Sequence, residues 1–381
     1  MNRLPEGLQA AQQGLLRVLH AIGLTADVHG QPAWPFAQRI ATETLAIDGG
    51  LTRQLAWLIA GIALASLLVA VGALWRRGRP ICWLAALLAL LVVPWPARSL
   101  VLTEAYATSF HRSPSTFDAA SIERGVLLYR TQCASCHGVD GRGEGPRAAS
   151  LPMWPPRLGG ELLWRRLDGE VFWRILHGLR DRHGVETMPA ATGQFSDADV
   201  WALIDAMKAL AAGTSVRAES TWAQPVRPPD ARVRCDDGLP PRLLSSLRGQ
   251  RLRLVAAVAA LSVPREDPRL ATIVLLAPGA PLAAADGACV IDDADAYAAY
   301  ARVAGAEPAR FAGAQFLVDR GGWLRAYGRP GASAWSQGDL LCRSEAPATI
   351  ASPSRDGLGD LIAVIDADPI RSPGLRPSHG R

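Results

Sequence analysis

Lysine is almost missing. Lys208 is the only one in 381 residues, and arginine carries the rest of the basic charge. Such a bias reflects genome composition more than function. The net charge of +5 is modest. No stretch interleaves basic with aromatic residues in the manner of a nucleic-acid groove, so no nucleic-acid partner is expected. Methionine is scarce too, with four in the chain. No Met-rich or His-rich cluster occurs, which argues against a route for soft metal ions. There is one CxxC and no second, so a four-thiolate zinc site is not encoded. The N-terminus lacks the charged, apolar and small-residue segments of a cleaved leader in their usual order. No second constellation of catalytic side chains is present, and the chain does not read as an enzyme.

What is present is Cys133-Ala134-Ser135-Cys136-His137. Two thiols three positions apart with an imidazole directly after them form the c-type haem attachment pattern. On one helical turn, Cys133 and Cys136 reach the two vinyl groups of one haem as thioethers, and His137 sits beneath the iron. A zinc half-site would need another ligand pair, and a dithiol redox motif would need no His137. One covalent haem c is therefore expected. A low-spin carrier also wants a sixth iron ligand. Met188, followed by Pro189, is the leading candidate, and a thioether there raises the potential. Met153, His177 and His183 are rivals, and bis-His ligation would lower the potential. Met207 lies on a periodic helical face and reads as core.

Residues 117–213 resemble the class I cytochrome c family. The resemblance rests on an opening helix with Gly125 and Tyr129, Cys133–Gly138, the glycines Gly141, Gly143 and Gly145, Pro155-Pro156-Arg157-Leu158, Leu176-His177-Gly178, Met188-Pro189, and a last helix after Ser196-Asp197. The resemblance implies an all-α domain whose first and last helices cross, with Gly125 against Trp201 or Ile204. It also implies that a proline carbonyl orients the proximal imidazole, at Pro155 or Pro156, with Pro156 preferred. Haem-binding residues would then be Cys133, Cys136, His137, Met188 and Pro156, with His137 and Met188 as axial ligands. Arg165, Arg166, Arg174 and Arg180 are candidates to neutralise propionates, although most read as a solvated helix face.

Upstream, residues 1–53 read as a tail with a short amphipathic helix (Leu8 to Leu24), either at a membrane surface or loosely ordered. Leu55 to Trp75 is an uninterrupted apolar run, long enough at 1.5 Å per residue to cross a bilayer. A second run from Ile81 to Leu102 is broken by Pro94-Trp95-Pro96 and Arg98. Residues 54–102 are thus expected to be a membrane hairpin of two spans; one span with a re-entrant helix is the alternative. Arg76, Arg77 and Arg79 place the intervening loop in the cytoplasm. The remainder would lie in the periplasm of a bacterial inner-membrane protein, where haem c is attached. Phe110 to Asp118 reads as a tether that holds the haem close to a redox partner in or at the membrane.

Residues 214–248 read as a Pro-rich linker. Short β-type runs follow at Leu252–Leu261, Thr272–Leu276 and Ala288–Ile291, then a helix from Asp293 to Val303 and a hairpin over Gln315–Tyr327. Residues 249–345 resemble a degenerate thioredoxin-like domain through Phe316–Leu324. Where the family carries CxxC, this chain has Ser262-Val263-Pro264-Arg265, so packing or docking is implied rather than thiol chemistry. Cys235, Cys289 and Cys342 allow one disulfide, with the pairing open. Residues 346–381 are expected to be mostly disordered, apart from a short element at Leu361–Val364. The expected fold class is multidomain: a two-helix membrane hairpin, an all-α cytochrome c domain and a small α/β C-terminal domain. This arrangement resembles bacterial copper-resistance D-type fusions with a cytochrome c, which usually have more spans. Single-electron transfer is the leading function. A haem-containing accessory in copper handling and a haem-based small-ligand sensor are the alternatives.

Overall fold

The computed structural model describes residues 3–159, 166–222, 224–257, 267–281, 289–332, 334–342 and 356–370. The Ser262–Arg265 segment, Arg165, and most of the 346–381 tail lie outside these. The described residues divide into two compact units, one up to His111 and one from Arg112 on.

In the first unit, α1 (Arg3–Ala21) is followed by a two-stranded pair, β1 (Asp27–Val28) and β2 (Gln31–Pro32), then β3 (Gln38–Ile40) and α2 (Thr42–Ile47). The segment is more than a tail. The Gln12 side chain accepts from the Ile40 amide at 2.8 Å, and Leu8 packs on Leu45, Leu51 and Leu55. Helix α3 (Gly49–Leu74) starts where the Asp48 carboxylate accepts from the Gly50 and Leu51 amides. Its 26 residues reach about 39 Å, and it is long and apolar enough to cross a membrane.

The second apolar run differs from the expected span. Helix α4 (Arg79–Val92) has 14 residues, about 21 Å, short of the roughly 30 Å of a hydrocarbon core. It ends at Val93, just before Pro94-Trp95-Pro96, because the residue before a proline is pushed out of helical geometry. Helix α4 returns along α3, with Gly61 against Val93 and Gly72 against Cys82 and Trp83. Arg79 donates to the Gly72 carbonyl at 3.3 Å and so caps α3 with a cation. After α5 (Arg98–Val101), β4 (Leu102–Glu104) pairs antiparallel with β3, Gln38 opposite Glu104 and Ile40 opposite Leu102. The segments entering and leaving the hairpin therefore lie side by side. Phe110, expected in a tether, packs on Trp34 with ring centroids 4.7 Å apart.

The second unit begins with a docked strand of chain rather than a free tether. Ser115 donates to Asp205, and Thr116 donates to Asp230 at 3.1 Å. Helix α6 (Ala119–Leu128) is capped by Asp118, which accepts from Ser121 at 2.8 Å. It widens into one π-type turn, Tyr129–Cys133, then tightens into α7 (Ala134–His137). Helix α8 (Asp168–His177) precedes β5 (Leu179–Arg180) and β6 (Glu186–Met188), which pair antiparallel. Helix α9 (Asp197–Glu219) opens with a capping box: Ser196 accepts from the Asp199 amide, and Asp199 accepts from that of Ser196. It runs six residues past Gly213, the expected end of the cytochrome c segment.

The expected linker is folded. Strands β7 (Arg232–Val233) and β8 (Arg242–Leu243) pair, and Trp222, Val226, Ala231 and Val233 are buried. Then come β9 (Leu252–Ala257), β10 (Ala271–Leu276), β11 (Cys289–Ile291), α10 (Ala294–Val303), β12 (Gln315–Val318), β13 (Leu324–Gly328) and α11 (Gly357–Ala367). The five-stranded sheet has the order β11-β10-β9-β12-β13. Strands β9, β10 and β11 run parallel, β12 runs antiparallel to β9, and β13 antiparallel to β12. Every residue of β9 and β13 is buried, as a sheet covered on both faces requires. Leu254, Ala256 and Phe316 face a core with Tyr297, Tyr300 and Val303 of α10. Leu317 and Ala326 face Leu361 and Ile365 of α11, a longer element than the one expected in the tail. The disulfide joins Cys235 to Cys289, which leaves Cys342 as a buried thiol.

The helical and sheet layers share one core. Ala119, Ile122, Val126, Ala209 and Val216 lie in the same cluster as Tyr300, Phe311 and Phe316. Arg302 of α10 pairs with Glu123 of α6 at 2.7 Å.

Candidate functional site

The site is built where α6 and α9 cross. A Cβ on Gly125 would collide with the Ala202 carbonyl and crowd the Ala206 methyl. The glycine contact is thus with Ala202 and Ala206, not with Trp201 or Ile204. Trp201 turns instead toward Phe172 of α8, with ring centroids 4.7 Å apart. Around these rings lie Tyr129, Ala134, Val171, Ile175, Leu176, Leu203, Ile204 and Met207.

The π-type turn shifts the register of α6 just before Cys133, an irregularity often found at functional sites. Cys133 and Cys136 are half-buried free thiols, held one short helical turn apart by α7. Burial, then the neighbouring Cys136, pushes the Cys133 thiol up to about 11. After His137 the chain turns back on itself. Gly143 donates to the His137 carbonyl at 2.8 Å, Gly145 to that of Cys136 at 3.1 Å, and Arg147 to that of Ser135 at 2.9 Å. The Tyr129 hydroxyl donates to the Gly138 carbonyl at 2.7 Å and so pins the end of α7 to the start of the π-type turn. Sequence reading gave Tyr129 only a packing role; its hydroxyl partner is nine residues on and carries no local pattern.

Burial lowers the His137 pKa, which favours the neutral imidazole. Its Nδ1 is buried with no partner in hydrogen-bond geometry. The Pro156 carbonyl is the acceptor that acts on the ring, opposing the effect of burial.

Met188 closes β6 opposite Leu179. It is half-buried and packs on the same cluster as Cys133 and Leu158. Gly178 lies so close to the Met188 and Pro189 backbone that a Cβ there would collide with it, and its φ of 68° suits glycine. Gly178 thus sets where Met188 runs, a role its sequence position alone does not define. The rival ligands lie elsewhere. Met153 is exposed. His177 is exposed and stacks on Trp173, with ring centroids 3.6 Å apart. His183 is exposed and accepts from Arg182 at 3.0 Å. Met207 is buried in α9. Arg180 serves its own turn, donating to the Gly184 carbonyl at 3.0 Å.

The structure therefore brings Cys133 and Met188 onto one apolar cluster, with Cys136 and His137 on the adjoining turn and Pro156 beside the imidazole. Two unbridged thiols, a neutral buried imidazole and a thioether form a donor set that fits haem c. Among the described residues, no group of three or more His, Cys, Asp and Glu side chains could hold a metal ion.

Residues 120–205 match the family described as Cytochrome C oxidase, cbb3-type, subunit III, a c-type cytochrome domain. The matched segment contains Cys133, Cys136, His137 and Met188. The curated proteins give no match. Among solved structures, the Kuenenia stuttgartiensis reducing HAO-like protein complex is similar at 20% identity over 35% of this chain and 60% of that one, with a TM-score of 0.22.

Proposed function

We propose that this chain, with a c-type cytochrome domain at residues 120–205, is a membrane-anchored electron-transfer protein of the bacterial inner membrane. Its single haem c is held by Cys133 and Cys136, with His137 and Met188 as axial ligands. The observation that carries this reading is the convergence of Cys133 and Met188 on one apolar cluster beside the Cys136–His137 turn. When bound, the haem supplies a one-electron couple; the protein makes and breaks no substrate bond. The chain's own part is positional. Trp201, Phe172 and Ile204 exclude water from one side of the site, Pro156 orients the imidazole, and Gly178 holds the Met188 strand.

The anchor is the α3–α4 hairpin. Helix α3 has the length to span. The β3–β4 pairing supports entry and exit on the same side, and the arginines of the intervening loop favour a cytoplasmic position for it. The haem and sheet layers are then periplasmic, and the redox partner is a protein in or at the same membrane. The strand order of the sheet supports a thioredoxin-like origin for the C-terminal region. Its shared core with α6 and α9 supports a packing role there.

The deciding experiment is an optical spectrum of the ferrous protein, matured with haem c, before and after carbon monoxide. A closed low-spin spectrum that opens in Met188→Ala is expected. Rapid carbon monoxide binding by the unmutated protein would replace the carrier reading with ligand sensing. Absence of covalent haem would overturn the reading altogether.

A further inference from the structure

Two guanidinium groups flank the turn between β12 and β13, and among the described residues neither hydrogen-bonds to a carboxylate. Arg227 is half-buried. Its Nη1 donates to the Gly321 and Gly322 carbonyls at 2.9 and 3.1 Å, and its guanidinium lies 3.6 Å from the centre of the Trp323 ring. Nε and Nη2 of Arg227 are left over from these contacts. Arg248 comes from the other side of the same turn. Its Nε and the Nη1 of Arg227 lie 3.1 and 3.2 Å from a single point, the position a Cβ would take on Gly322. Those two nitrogens are thus no more than about 6 Å apart. Among the described residues neither forms an ion pair with a carboxylate.

The two nearby carboxylates are committed elsewhere. Asp319 accepts from the Trp323 amide at 2.9 Å and from Arg325 at 3.1 Å. Asp230 is buried and accepts from Thr116 at 3.1 Å and from the Ser245 amide at 3.0 Å. Both carboxylates line one open groove together with Thr116, Arg227, Arg248 and Gly322. Its base takes one or two oxygen atoms, and its mouth opens to solvent beside the exposed Arg248. Burial, then the Arg248 charge, push the Arg227 pKa down to about 10, with the Asp319 carboxylate opposing them.

Two like charges held together at a fixed turn favour a ligand that brings the opposite charge and several acceptors. Guanidinium groups meet phosphate oxygens in pairs. We propose that this groove binds a phosphate-type oxyanion, either free or as a phospholipid headgroup. The site is independent of the haem reading, and so is its test.

The test is isothermal titration of inorganic phosphate into the full chain in neutral detergent, against sodium chloride of equal ionic strength. Saturable binding is expected, weakened roughly tenfold in Arg248→Gln, about the loss of one charge-assisted contact. Loss is expected in Arg227→Gln/Arg248→Gln. Arg248 is exposed and leaves the Trp323 stack intact, so Arg248→Gln decides the matter if the double variant fails to fold. Repeating the titration in nanodiscs separates the sources. Competition by phosphatidylglycerol discs, but not neutral ones, assigns the site to a headgroup; unchanged phosphate binding assigns it to a free oxyanion. No saturable heat from phosphate, or wild-type binding by Arg248→Gln, would overturn the proposal.

Discussion

The two halves of α9 do opposite kinds of packing. The first half, Val200 to Met207, places Trp201, Leu203, Ile204 and Met207 against the cluster of Cys133 and Met188. The second half, Ala209 to Val216, is mostly alanine, glycine, threonine and serine, and it lies against the sheet layer. Large side chains fill the space between α9, α8 and the Cys133 turn. Small residues face α10 because the backbones approach closely: a Cβ on Gly213 would collide with the Arg302 carbonyl. One helix therefore serves both as a wall of the site and as a rail on which the sheet layer sits. Cooperativity between the layers follows, since neither half of α9 can fray without exposing the other's core.

The strongest way to break this comparison is Phe316→Ala. Phe316 is fully buried on the sheet side, beside Tyr300 and Tyr327. Its truncation should cost about 4 kcal/mol, with far-UV ellipticity and haem absorbance lost in one transition. Two separate transitions would show that the layers unfold independently. Gly125→Val acts on the site side, where the added side chain meets the Ala202 carbonyl. Destabilisation of about 3 kcal/mol is expected in urea titration, together with a weaker low-spin spectrum; an unchanged midpoint would mean that the helix crossing yields freely.

Asp205 sharpens the comparison by pH. It sits on α9 between Ser115 and Ser121, with Lys208 and Asp168 nearby, and burial pushes its carboxyl up to about 6. Its folded pKa exceeds the unfolded one, so the folded chain takes up a proton. Stability should therefore rise as pH falls from 7 through 6 toward 4, by on the order of 2 kcal/mol. Asp205→Asn should flatten that slope in denaturation midpoints measured across pH; an unaltered slope would assign it to other groups. The smallest effect is expected at the exposed start of α9. Ser196→Ala removes the capping box and should cost about 1 kcal/mol, seen as a modest shift in thermal midpoint, with the ferrous spectrum unchanged.

Local chemistry was legible from residues alone. The CxxCH turn, the cap at Ser196, the hairpin at Gln315–Gly328 and the helix at Ala294–Val303 each follow from neighbours within a few positions. Met188 was a candidate through its Pro189 and its spacing, and it packs on the cluster that includes Cys133. The length of α9 did not. Gly213 reads as the end of the cytochrome-like segment, but the helix packs closely on α10 and continues to Glu219. The Pro-rich stretch read as a linker for a similar reason: prolines mark the absence of regular structure, not the absence of burial, and Trp222, Val226 and Val233 are buried within it. The second apolar run is broken by Pro94-Trp95-Pro96, and its unbroken part is short for a span. The backbone preference before Pro94 shortened it to α4.

By itself the sequence determined what the site is made of. Two thiols and an imidazole on one turn specify their own chemistry because covalent spacing and helical rise fix their separation. Only the tertiary structure decided which methionine packs on the Cys133 cluster, which cysteines pair, and that the sheet layer is fused to the helices through α9. Those outcomes depend on contacts between residues far apart in the chain. Whether Met188 or His177 faces the cluster, and whether Gly213 ends a helix or lets another approach, is set by what packs against it.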